Sequence, residues 1–416
     1  MQIPEGYPEF RDLSPEQIQQ LCDEMAERPL DNSNIEKWLE DFGRLAALFQ
    51  ECMARLDIAT DVNTADEGAR ERRAHYRETI WPIGHHMEQK IHERMQAHAD
   101  LMPTVLREVE SRWAHGLNQS QAAIDLLNRE AELVSQYDQI IGRQTSQPED
   151  KTLPDRARRE HAWRAVRNRH WQDRDSISPI WSELIDTRQK LAQINGFDDY
   201  LAYRWAEQGR ADYTPEDSRA LHASLLKHWS PLHLTIVNAQ KEALQIESMR
   251  PWDPDTTPAY EQLRPFESPD ELLQKTLNVF RQVDPEFSAY VEKLRDMGFI
   301  DLAERDHTVS AGGFSRAIGR HGNFIFMNIK RTPSEFIGLI HEIGHAFAHY
   351  AACKLPYLPL WILPTDFIET PSCAMEILTQ PYWGEFFKPE DLQLVRHEYF
   401  RGAVSGGLFI PAVDAF

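Results

Sequence analysis

The chain has 416 residues, 41% of them hydrophobic and 27% charged, enough for two or three packed lobes of a globular protein. Its net charge of −21 excludes a general nucleic-acid binder, which needs a basic footprint on phosphates. No apolar run reaches the roughly 18–20 residues of a membrane span, and MQIPEGYPEFRDLSPEQ has neither the basic nor the apolar region of a secretory leader.

The expectation is therefore a cytoplasmic protein with no membrane and no nucleic-acid partner. Its four scattered cysteines, Cys22, Cys52, Cys353 and Cys373, lack a C-x-x-C pair and read as reduced thiols.

Up to about residue 250 the pattern is helical. Ser14, Pro15 and Gln17 form a capping-box start, and Ile35, Trp38, Leu39, Phe42, Leu45, Leu48 and Phe49 recur at three- and four-residue steps. Further helices are expected around 66–100, 103–142, 155–194 and 215–248, with breaks at 144–155, 195–200 and 249–265. The histidine-dense run at 85–98 has no acidic partner set at metal spacing and reads as a solvated helix face. After a helical patch at 270–297 the character changes. HTVSAGGFSRAIGRHGNFIFMNIKRTP combines β-type residues with a Gly pair and a turn-like HGN, which predicts a short hairpin. The chain divides on this reading into an N-terminal helical domain over 1–200 and a catalytic domain over 201–416.

Directly after the hairpin, Thr332, Pro333 and Glu335 mark a helix start, and the helix runs through EFIGLIHEIGHAFAHYAA. His341 and His345 stand one turn apart, so both imidazoles leave one face and can reach one ion. Glu342 lies between them, placed to take a proton from a water on that ion. Phe336, Ile337, Leu339, Ile340, Ile343 and Phe347 bury the helix, a setting in which an unpartnered histidine pair is unfavourable.

A catalytic zinc needs a third protein ligand. Ala351 occupies the place where a third histidine would follow in a metzincin, so the candidates are Asp366, Glu369 and Glu376 in TDFIETPSCAMEIL. Glu369 follows His345 by 24 residues, enough chain to leave one helix and return on a second. Glu376 is two turns further on, either a carboxylate that orients a ligand histidine or a solvated helix charge. Pro371 means that this second helix starts at about Thr370 or is kinked there.

HEIGHAFAHY followed by DFIETPSCAMEIL resembles the oligoendopeptidase F family and its thimet-oligopeptidase-like relatives. SAGGFS, FIFMNI, RPWDPD, LRPFESPDEL and the stretch from EHAWRAVRNRHW to FDDYLAYRW extend the resemblance over roughly 155–416. It implies a mainly α, multi-helical zincin-type peptidase, bowl-like or prolate, with a small β-hairpin beside the active-site helix and a deep peptide cleft. It implies one Zn2+ held by His341, His345 and Glu369, with Glu342 as general base, cutting internal bonds of short peptides. Gly312 and Gly313 would then border the cleft and let a peptide backbone approach.

Two departures qualify the resemblance. Ala348 stands where many relatives have a histidine, with His349 one position later. The sequence ends at GGLFIPAVDAF, where relatives run on into a helical section carrying substrate-binding Tyr and His. The alternative expectation is accordingly a truncated or weakly catalytic zinc- and peptide-binding protein of the same fold.

Overall fold

A computed structural model describes residues 2–107, 120–145, 155–253, 258–305 and 313–416. Its contacts divide the chain into two compact units: Met1–Glu110 with Gln262–Gln393, and Ser111–Glu261 with Leu394–Phe416. The contiguous split at residue 200 is not the division the contacts make. The reason is visible in the core of the first unit. Ile18, Leu21, Trp38, Leu45, Phe49 and Ile91 from the first hundred residues share one buried cluster with Ala352, Leu358 and Trp361, which follow the H-E-x-x-H helix.

After a short helix at Tyr7–Arg11 the first unit continues with α1 (Pro15–Glu27), α2 (Ile35–Val62), α3 (Glu67–Thr79) and α4 (Trp81–Ala97). The Ser14 capping box is formed: Gln17 Oε1 accepts the Ser14 N–H at 2.8 Å and Ser14 Oγ accepts the Gln17 N–H at 3.3 Å. All seven stripe residues of α2 are buried. The helix expected over 66–100 is two helices, broken at Ile80 just before Pro82, which sits in the first turn of α4. His85, His86 and His92 are exposed on α4, as a solvated face requires.

One side chain on α4 is poorly accommodated. Glu88 is part-buried near Cys22, and burial alone pushes its carboxyl up to about 7. In the unfolded chain the group ionises near its ordinary value, so the fold loses stability as pH rises from about 4.5 through 7. Glu88→Gln is expected to leave stability at pH 4 unchanged and to raise it at pH 8. Allowing for partial exposure, the gain is roughly 1–2 kcal/mol. Urea unfolding of both proteins at the two pH values measures it, and an equal difference at both would reject the cause given.

The second unit contains α5 (Gln121–Thr145), α6 (Arg156–Gln172), α7 (Arg174–Ile194), α8 (Tyr200–Glu207) and α9 (Pro215–Ala243). The single helix expected over 155–194 is two, joined at Asp173, the C-cap of α6 and N-cap of α7. α5 packs along α7, where Arg188 Nε meets Glu130 Oε1 at 2.7 Å. The RPWDPD loop is tied down by Asp253, whose fully buried carboxylate takes Arg156 Nε and Nη2, each at 2.8 Å. Planar two-point pairing of this kind holds a loop without regular structure in one place.

The first unit resumes with α10 (Pro269–Val283) and α11 (Pro285–Asp296), then a three-stranded sheet of β1 (Ile300–Ala303), β2 (Gly313–Ile318) and β3 (Gly322–Asn328). The strand order is β1-β3-β2. β2 and β3 form the expected antiparallel hairpin, and β1, four residues long, adds in parallel to β3. Gly319 at φ +49 and Gly322 at φ +137 make the turn, conformations that strain any L side chain.

β3 is central and buried along nearly its whole length, while β2 is one of the two edge strands. α12 (Pro333–Ala352) lies against both strands and against α13 (Glu369–Thr379), after which α14 (Pro389–Ala415) follows. Among the described residues no helix is long and apolar enough to cross a membrane.

Candidate active site

The α12 start works as the capping pattern predicts: Glu335 accepts the Thr332 N–H at 2.9 Å and the Lys330 N–H at 2.6 Å. Below it Phe336, Leu339, Ile340 and Ile343 are wholly buried, and Phe347 packs against Phe280, Phe287 and Tyr290. This apolar anchorage leaves one half-buried face, and His341, Glu342 and His345 stand on it.

α13 brings Glu369 to that face. The His341 and His345 Nε2 atoms are 3.1 Å apart, and Glu369 Oε2 lies 3.1 Å from the first and 3.4 Å from the second. Three donors around one tetrahedral zinc, each about 2.0–2.1 Å from it, are separated by roughly 3.3 Å. The two imidazoles and one carboxylate therefore fit a zinc ion in both chemistry and spacing.

The supporting contacts are equally specific. His341 Nδ1 lies 2.6 Å from Glu376 Oε1, and this bond, opposed by burial, raises the His341 pKa. Pinning Nδ1 directs Nε2 toward the other donors. The His345 pKa is lowered, chiefly by burial, despite a backbone hydrogen bond at Ile368. Ser372 Oγ, wholly buried, sits 2.9 Å from the Glu369 carbonyl and 3.0 Å from its Oε2, holding that exposed carboxylate in place. Pro371 falls in the first turn of α13, where a missing N–H leaves no bond unmade.

Glu342 faces a cleft of about 510 Å³ together with both histidines, Glu369 and the β2 residues Gly313, Phe314 and Ser315. Burial raises its pKa, and the nearby His341 and the Ser315 backbone offset only part of that. A carboxylate poised above its ordinary value is a better proton acceptor. Trp361, Leu363 and Ile368 supply an apolar part of the lining.

The remaining sequence candidates are not among the three clustered donors. Asp366 is exposed in a short turn and is not one of the three clustered donors. His349 lines the cleft, but burial lowers its pKa to about 4, and its Nε2 lies 3.3 Å from Cys353 Sγ. Gly312 lies outside the described residues. At Gly313 a Cβ would stand 2.3 Å from Met327 Sδ and 2.6 Å from the Phe326 carbonyl, so the sheet itself requires a glycine there.

Motif reading had no means of finding Ser372, Trp361 or Gly344. Gly344 shows how tightly the site is closed: a Cβ there would lie 2.6 Å from Ser372 Cα and 3.0 Å from the Pro371 carbonyl. The carboxylate support of Glu376 is expected to be measurable. Glu376→Gln should weaken zinc by about 10–100-fold, read by competition with a chromophoric chelator. Unchanged affinity would mean that the contact with His341 Nδ1 does not orient the ring.

Comparison with known proteins places the fold and the family. The chain is 24% identical over 232 residues to an oligoendopeptidase F homolog of Mycoplasma genitalium (strain ATCC 33530 / DSM 19775 / NCTC 10195 / G37), covering 54% of this chain and 37% of that relative's length. Among solved structures, a candidate oligoendopeptidase F from Bacillus anthracis str. Ames superposes with a TM-score of 0.77 at 19% identity, covering 96% of this chain and 75% of that one. PZ peptidase A, solved with an inhibitor, gives 0.79 at 20% identity, covering 99% and 74%. These likenesses show a shared fold. The family model for peptidase family M3 matches residues 151–404, more than half of the sequence and the whole of the site, and the chain belongs to that family.

Proposed function

We propose that the protein is a zinc-dependent endopeptidase that hydrolyses internal bonds of short, unstructured peptides. The observation that carries this is the triangle of His341, His345 and Glu369 donors with a half-buried Glu342 in the same cleft. A zinc ion held by those three residues would supply Lewis acidity to the scissile carbonyl and acidify the attacking water toward a pKa of about 7. Glu342 takes the proton from that water and delivers it to the leaving amine. His341 is held for its task by Glu376, and Glu369 by Ser372. The outer edge of β2 borders the cleft and offers an extended peptide the backbone groups for strand addition, with Gly313 at its start. Four unpaired cysteines fit a reducing compartment such as the cytoplasm.

The test is cleavage of an internally quenched peptide of about ten residues. Turnover should disappear on treatment with a chelator and return with stoichiometric zinc. Peptide binding without turnover in the zinc-loaded protein would favour the binding-protein alternative and reject hydrolysis.

A further inference from the structure

The first unit holds another pocket, of about 450 Å³, that shares no residue with the catalytic cleft. The short helix at Tyr7–Arg11 lines it together with residues of α1, α2 and α3. Phe10, Leu13, Ile18, Leu56 and Ile80 give it an apolar interior, in which Phe10 and Ile18 are almost wholly buried. Its walls are fixed by contacts of their own. Phe10 packs edge-on against Phe49 with ring centroids 4.9 Å apart, and the Tyr76 hydroxyl donates to the Phe49 carbonyl at 3.1 Å. Small-molecule sites occupy roughly 300–1,000 Å³, with apolar walls for the body of the ligand and a few polar groups for its head.

The exposed ionisable groups that line this pocket are all basic. Arg11, Arg72 and His75 are there and no carboxylate is, in a chain whose net charge is −21. Arg11 is already paired, its Nε 2.8 Å from Asp12 Oδ1. Arg72 and His75 have no carboxylate partner among the described residues. With Tyr76 they stand at i, i+3 and i+4 on α3, so the three side chains leave one face of the helix.

We propose that this pocket binds a small amphiphile, with an aliphatic chain in the apolar interior and its carboxylate on Arg72 and His75. The chain gains affinity by leaving water, and the walls give it few hydrogen-bond partners to compete with, the Tyr76 hydroxyl being taken. The head is selected by contact. A guanidinium presents a planar fork that meets both oxygens of a carboxylate, and elsewhere a protein this acidic repels anions.

The test is calorimetric titration of the full chain with decanoate and with decanol, which has the same body and no charge. Decanoate should bind at one per chain, about 5–10-fold more tightly than decanol. Arg72→Gln should weaken decanoate about 5-fold and leave decanol unchanged, and His75→Gln added to it should remove the rest of the difference. Both side chains are exposed, so these variants keep the fold. Leu56→Trp fills the interior and should weaken both ligands at least about 10-fold; if it does not fold, the Arg72→Gln comparison decides. Decanoate that binds no better than decanol, or that is indifferent to Arg72→Gln, overturns the proposal. So does decanoate binding that a chelator abolishes, which would put the carboxylate on a metal at His341, His345 and Glu369. Tighter binding of N-acetyl-Leu-Leu than of decanoate would overturn the aliphatic body and make the ligand a peptide C-terminus.

Discussion

Glu342→Gln is expected to keep its zinc and lose about 10²–10⁴-fold in kcat, roughly 3–5 kcal/mol of transition-state stabilisation. The substitution keeps the size and shape of the side chain, so the cleft wall beside Ser315 is preserved. Glu342 is not among the three clustered donors, so the ion's ligands are untouched. What disappears is the only function an amide cannot supply, accepting a proton. Because the glutamine still fills the space, KM should change little, and the loss should fall on kcat. Metal analysis after dialysis and steady-state cleavage of a quenched peptide read the two quantities separately. Zinc retained with turnover intact would remove Glu342 from the mechanism. Zinc lost would mean that the residue helps to hold the ion.

Sequence and structure part company at identifiable places. The helix with His341, Glu342 and His345 was legible because three signals coincide over a few residues: the cap at Thr332, the apolar stripe and the histidine spacing. The hairpin was legible because β-type residues flank a glycine turn. Strand β1 was not, since so short a segment shows no alternation and its pairing partner β3 is distant in the chain. Local spacing left Asp366, Glu369 and Glu376 open as third ligand. The resemblance pointed to Glu369, and the fold sets it beside the histidines because α13 packs on one particular face of α12. The two-unit division was hidden for a related reason. Leu358 and Trp361 look like ordinary loop hydrophobics in sequence, yet they complete a core built from the first hundred residues.

Gly344 offers the sharpest separation of helix propensity from packing. Taken alone, Gly→Ala inside a helix should stabilise by about 0.5–1 kcal/mol. Gly402 on α14 is exposed, with nothing within 4 Å of the place a Cβ would take, so Gly402→Ala should show that gain. Gly344 lies between His341 and His345, where α12 touches α13 backbone to backbone. There the added carbon would stand 2.6 Å from Ser372 Cα, 3.0 Å from the Pro371 carbonyl and 3.2 Å from the Ser372 N. None of these is a flexible side-chain end, so the helices themselves must separate. Overpacking costs of about 1–3 kcal/mol exceed the propensity gain, and Gly344→Ala should destabilise where Gly402→Ala stabilises. The separation also moves Glu369 away from the histidines and Glu376 away from His341 Nδ1. Zinc affinity should therefore fall at least about tenfold, since ligand contacts of roughly 2.0 Å tolerate shifts of only about 0.2 Å. Denaturant unfolding of the metal-free proteins gives the two stability changes, and chelator competition gives the affinity. A stabilised Gly344→Ala with unchanged zinc binding would show that the α12–α13 contact yields to a methyl group, and that the ligand triangle does not depend on this close approach.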